Sequence, residues 1–146
     1  MAPDTLSLAG KTALITGSGR ENGVGAAIAR GFARSGAAVA IHCLSEGSKP
    51  RAEKLAANIT TEFGTKTIVV HGSVSDYKAT REMVSQVLKE FDVDHIDILV
   101  NNAADGSSQP LLDATPEHLE RSRLPADGRE TAPPSIGHGE WVTGGP

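Results

Sequence analysis

Four short apolar runs set the strongest constraint on this chain: Thr12–Ile15, Ala38–His42, Thr67–His71 and Ile96–Val100. Each is too short for a helix and lacks the apolar–polar alternation of a strand with one wet face. Each therefore reads as a strand covered on both sides. Helical periods fill the gaps between them. Val24, Ile28, Gly31 and Phe32 recur at helical spacing, and Gly36 follows as a stop. Ala52, Leu55, Ala56, Ile59 and Phe63 form a second stripe, starting near Ser48 with Pro50 in the first turn and closed by Gly64. Met83, Val84, Val87, Leu88 and Phe91 form a third, with Ser75 expected as its cap and Asp76 at the positive end of the dipole. Strands alternating with helices make consecutive βαβ units. Their right-handed crossovers predict an α/β fold with a doubly wound parallel sheet, strand order 3-2-1-4.

Ala, Val and Ile carry the apolar load, against three Phe, one Tyr and one Trp. The net charge of −4, without a basic stripe, points away from nucleic acid and anionic membrane. A single cysteine, Cys43, excludes an internal disulfide and suits a reducing compartment. No apolar run approaches the roughly 18 residues of a membrane span, and Met1–Gly10 lacks a secretory pattern, so a cytoplasmic location is expected. A last helix is expected from Thr115, with Pro116 and Glu117 in its first turn. Beyond Arg121 the character changes: nine of the 25 residues from Ser122 to Pro146 are Gly or Pro, without apolar period. The expected division is one α/β domain over 1–121 and a disordered or irregular tail over 122–146.

The first strand runs into Thr16-Gly-Ser-Gly-Arg-Glu-Asn-Gly-Val-Gly25. Glycine serves two ends in such a turn. It reaches positive φ, and it lets a phosphate approach backbone that no Cβ obstructs. The helix behind the turn adds free N–H groups and its dipole. A Gly-x-Gly pattern alone is weak; after a strand and opening a helix, in the first βαβ unit, it marks a Rossmann-type dinucleotide site.

These residues resemble the short-chain dehydrogenases/reductases. Thr16-Gly17 followed by Gly23-x-Gly25 is similar to that family's Thr-Gly-x-x-x-Gly-x-Gly turn, and Leu8-Ala-Gly-Lys11 to its opening. Asn101-Asn-Ala-Ala104 resembles its Asn-Asn-Ala-Gly motif, with Ala104 in place of glycine. Five residues rather than three separate Gly17 from Gly23, so an enlarged loop is expected. The resemblance implies cofactor contacts at Thr16, Gly17, Ser18, Arg20, Gly23, Val24, Gly25, Cys43, Ser45, Ser73, Val74, Asn101 and Ala103. An acid after the second strand would hold the adenosine ribose and select NAD. Family spacing puts Cys43 there, with Arg20, Lys49 and Arg51 nearby, which favours the 2′-phosphate of NADP over NAD. Glu46 is the rival ribose acid, and Lys49 and Arg51 equally suit a solvated helix start. Ser73-Val74 stands where the family has an adenine-binding Asp.

The family protonates the product alkoxide with a Tyr-x-x-x-Lys pair, helped by a Ser and an Asn. The one tyrosine here, Tyr77, opens the third helix with Arg81 one turn on, on the adenine side, and reads as an exposed helix residue. No catalytic residue is assigned, and neither is a metal ligand: the five histidines share no ligand spacing. The expected function is an oxidoreductase interconverting an alcohol and a ketone in its complete form, inactive as this chain alone. The tail would then arise from a shifted frame or a retained intron. A non-catalytic NADP-binding or regulatory protein pairing with a complete relative stays open, as does a non-functional fragment. Expected partners are a small carbonyl or alcohol substrate and a homo- or hetero-oligomer formed through the exposed sheet edge.

Overall fold

The computed structural model describes residues 6–104 and 115–117. Four parallel strands, β1 (Thr12–Ile15), β2 (Ala38–Cys43), β3 (Thr67–His71) and β4 (Ile98–Val100), lie in the order β3-β2-β1-β4, as the crossover argument predicts. β1 pairs with β2 from Thr12↔Ala38 to Ile15↔Ile41 and with β4 from Ala13↔Ile98 to Ile15↔Val100. β2 pairs with β3 from Val39↔Thr67 to Cys43↔His71.

Side chains alternate across the sheet and build two cores. Ala13, Ile15, Val39, Ile41 and Cys43 pack against α1 (Val24–Arg34) and α2 (Lys49–Phe63). Leu14, Ala40 and Val70 face Met83 and Val87 of α3 (Tyr77–Phe91) on the other side. Three alanines, Ala26, Ala29 and Ala33, form the buried face of α1 and let it lie close to the sheet. Each fully buried Leu55 or Ile59 contributes about 1.5–3 kcal/mol through removal of apolar surface from water.

Several boundaries move from their expected places, each for a local reason. The cap of α3 is Asp76, not Ser75: its carboxylate accepts the Ala79 N–H at 2.9 Å, while Ser75 hydrogen-bonds back to Ser73. β4 begins at Ile98 rather than Ile96, because the Asp97 carboxylate takes the Thr12 N–H at 2.9 Å in place of a ladder bond. A 3₁₀ turn over Glu46–Ser48 precedes α2, and β2 runs on to Cys43. Gly64 ends α2 in the left-handed conformation at φ 71°, the stop expected of it. Pro116 and Glu117 are helical. The remainder of that expected helix and the tail over 122–146 lie outside the described residues.

Candidate cofactor site

The carboxyl ends of β1, β2 and β4 meet at the glycine-rich turn, where open α/β sheets bind their ligands. Gly17 holds φ +64°, and a Cβ there would come within 2.8 Å of the Ala103 Cα. Gly25, in the first turn of α1, has no more room: a Cβ would meet the Asn102 Nδ2 at 2.7 Å and the Ser18 Cα at 2.8 Å. Both glycines are therefore fixed by protein packing against the turn. Gly23 is the N-cap of α1; it brings no capping side chain, and no acid stands in the first turn. An uncapped helix start leaves N–H groups free for an anion.

The two extra residues do not widen the turn evenly. The Gly23 N–H donates to the Arg20 carbonyl at 2.9 Å, so Arg20–Gly23 closes as a tight turn with Glu21 and Asn22 at its tip. Glu21 then reaches Arg30 at 3.5 Å, and Arg30 also pairs with Glu62 at 3.1 Å. The inserted acid is thus neutralised on the flank of α1. Arg20 itself is exposed and enters no ion pair among the described residues.

Among the expected contact residues, the hydroxyls of Thr16 and Ser18 are hydrogen-bonded within the protein. The Thr16 hydroxyl donates to the Val100 carbonyl and accepts the N–H groups of Asn102 and Ala103 at 2.9 and 3.0 Å. Ser18 is fully buried; its hydroxyl donates to the Ile15 carbonyl at 2.7 Å and accepts the His42 N–H at 3.0 Å. Val24 stands exposed at the start of α1. Asn101 is exposed just beyond β4, but it is Asn102 that clamps the turn, donating from Nδ2 to the carbonyls of Thr16 and Gly17.

Sequence reasoning passed over His42, which the fold puts at the centre. Its Nδ1 accepts the Gly17 N–H at 2.9 Å and its Nε2 lies 2.8 Å from the Gly72 carbonyl. Its own carbonyl accepts the N–H groups of Ser18 and Gly19. Burial pushes its pKa below the ordinary histidine value and the nearby His71 adds to this, with the Gly72 bond partly opposing. The available signal was a polar residue in a run otherwise buried on both faces.

At the adenosine end, Cys43 is buried under Gly19 and Ala52, and burial raises its thiol pKa. Ser45 is exposed and shares a hydrogen bond with Ser48. Glu46, the rival acid, pairs with His71 at 2.8 Å and with Lys49 at 3.5 Å. Ser73 and Val74 follow β3, Ser73 bonded to Ser75 and Val74 packed on the α3 side of the sheet. Tyr77 is exposed, with the Arg81 guanidinium over its ring. Among the described residues no three His, Cys, Asp or Glu side chains could hold a metal, and no helix is long and apolar enough to cross a membrane.

The short chain dehydrogenase family model matches residues 11–123. Versicolorin reductase 1 of Aspergillus parasiticus is 36% identical over 118 residues, covering 81% of this chain and 42% of that protein. The NADP-dependent mannitol dehydrogenase of Alternaria alternata is 33% identical over 78% of this chain and 41% of its own length. L-Sorbose reductase from Gluconobacter frateurii, solved with NADPH and L-sorbose, superposes with a TM-score of 0.64 at 33% identity, over 77% of this chain and 40% of that one. The chain thus spans less than half the length of these relatives. With the turn, the strand order and the Asn-Asn-Ala segment in the same succession, it belongs to the short-chain dehydrogenase family.

Proposed function

We propose that this chain binds NADP(H), in preference to NAD(H), across the turn Thr16–Gly25 and the ends of β2 and β3. One observation carries the preference: among the described residues at the ends of β2 and β3, no carboxylate is free to take the adenosine ribose. Cys43 occupies the place of the acid, Glu46 is engaged by His71 and Lys49, and Arg20, exposed in the turn, enters no ion pair among the described residues. A 2′-phosphate needs this balance of charge. An NADP-dependent relative and a structural neighbour solved with NADPH support the same reading.

The uncapped start of α1, without an acid in its first turn, fits the diphosphate. The bound cofactor would supply hydride chemistry between an alcohol and a ketone. These 146 residues contain no Tyr-x-x-x-Lys pair, and Tyr77 is exposed at the start of α3, so they bind without turning over a carbonyl alone. Fluorescence titration should give NADPH a Kd roughly tenfold or more below that of NADH, the worth of one charge-assisted contact. Equal affinities, or carbonyl-dependent NADPH oxidation abolished by a substitution in this chain, would overturn the reading.

A further inference from the structure

The ring of His42 joins two loops that face the cofactor region, and its hydrogen bonds admit a single protonation state. A backbone carbonyl only accepts, so Nε2 beside the Gly72 oxygen must carry hydrogen. A backbone N–H only donates, so Nδ1 beside Gly17 must offer its lone pair. From this geometry we infer that His42 is a positioning residue for the phosphate-binding turn: its neutral ring ties Gly17 to Gly72, and protonation releases the turn and weakens dinucleotide binding. The inference rests on the NADP(H) reading of the turn.

A second proton has one place to go, Nδ1, where it would face the Gly17 N–H donor to donor. Gly17 cannot simply shift, since Ala103 lies against its Cα and Asn102 holds its carbonyl. His42 is 2% exposed, which leaves little room for water to take over the lost bond. Neighbouring elements bring little charge to offset a cation. On β3, His71 opposes it, and Glu46 from the 3₁₀ turn is already paired with His71. On α3, the Asp76 carboxylate caps Ala79. β1 and the turn carry no ionisable side chain between Thr12 and Arg20. Cys43 packs with α2 on the opposite face of the sheet. The ring is therefore neutral near pH 7 and protonates only at more acid pH.

The test compares the full chain with His42→Asn, whose amide oxygen can accept from Gly17 but does not titrate. NADPH titrations run from pH 8 to pH 5. The 2′-phosphate ionises near pH 6 in both proteins, so it cancels in the comparison. The wild type should lose affinity by up to an additional tenfold per pH unit below the His42 pKa, and the variant should lack that acid limb. An identical limb in both overturns the inference. Should the variant fail to fold, ¹⁵N spectra of the ligand-free wild type decide: the Gly17 amide must shift with the His42 ring nitrogens, and a still amide refutes the idea. Failure of NADPH and NADH alike to bind at pH 8 would instead refute the cofactor reading, leaving the ligand-free titration to judge His42.

Discussion

β1 is fastened to β4 at both ends, and the two fastenings differ in kind. At the carboxyl end the ties are neutral: the Thr16 hydroxyl, the Asn102 amide and the backbone of Gly17 share short bonds within a packed turn. At the amino end the tie is ionic. The Asp97 carboxylate takes the Lys11 ammonium at 2.7 Å and the Thr12 N–H and hydroxyl, with His95 beside it. The difference teaches where a ligand belongs. The proposed cofactor, which carries several phosphate charges, would need helix N–H groups and few competing carboxylates, and uncharged ties at that end meet this need. The other end carries a carboxylate at the centre of its lock.

The sharpest way to break the comparison is Gly25→Ala. Its new Cβ meets the Ser18 Cα at 2.8 Å and the Asn102 Nδ2 at 2.7 Å; the first is backbone, and the second is held by the Thr16 and Gly17 carbonyls. Denaturant unfolding should show a loss of about 1–3 kcal/mol, the usual cost of overpacking. NADPH binding should fall below detection. Gly10→Ala provides the control at the amino end: it is strained at φ +78° but meets nothing within 4 Å, and should lower stability while leaving the Kd unchanged. Equal effects of the two on binding would mean that the turn is not the site.

Much of this was legible in the sequence. The strands and helix stripes follow from apolar runs bounded by glycine and polar caps, and crossover handedness with the glycine-rich turn after β1 narrows the strand order. What escaped depended on bonds between residues far apart in the chain. His42 lies 25 residues from Gly17 and 30 from Gly72, and nothing within β2 announces either partner. Asn102 outranks Asn101 only once β4 lies beside β1. Arg20–Gly23 closes on itself through one backbone bond, whereas residue counting suggests a wider loop. The change from Ser75 to Asp76 as cap is of another kind: two adjacent side chains suit the role, and Ser73 engages one of them.

Acid should separate the two fastenings. Asp97 is held well below the usual carboxylate range, first by Lys11 and then by the Thr12 N–H. A lowered folded pKa stabilises above the unfolded value of about 3.9 and loses that stability as pH falls toward the folded pKa. His42 acts earlier. Its ring is harder to protonate in the fold, so stability declines below about pH 6.5, where the unfolded chain begins to take up the proton first. Asp97→Asn should therefore lower the Tm at pH 7, with the gap from wild type closing below about pH 4. It should not alter the Kd for NADPH at pH 7.5. A gap independent of pH would show that the carboxylate charge is not what holds the amino end.

The smallest effect concerns the inserted turn, where an acid sits close to a region argued to welcome phosphate. Arg30 bridges Glu21 and Glu62 on the surface, and exposed pairs contribute only about 0–1 kcal/mol. Arg30→Gln should leave the Tm nearly unchanged. It frees the Glu21 carboxylate, whose repulsion should weaken NADPH by roughly twofold at low salt, more than NADH, and less as ionic strength rises. The double variant Arg30→Gln, Glu21→Gln removes both charges and should restore the wild-type Kd. If Arg30→Gln weakens NADPH and NADH equally, or the second substitution rescues nothing, then Arg30 acts through packing on α1. The uncharged character of the carboxyl end would then owe nothing to this ion pair.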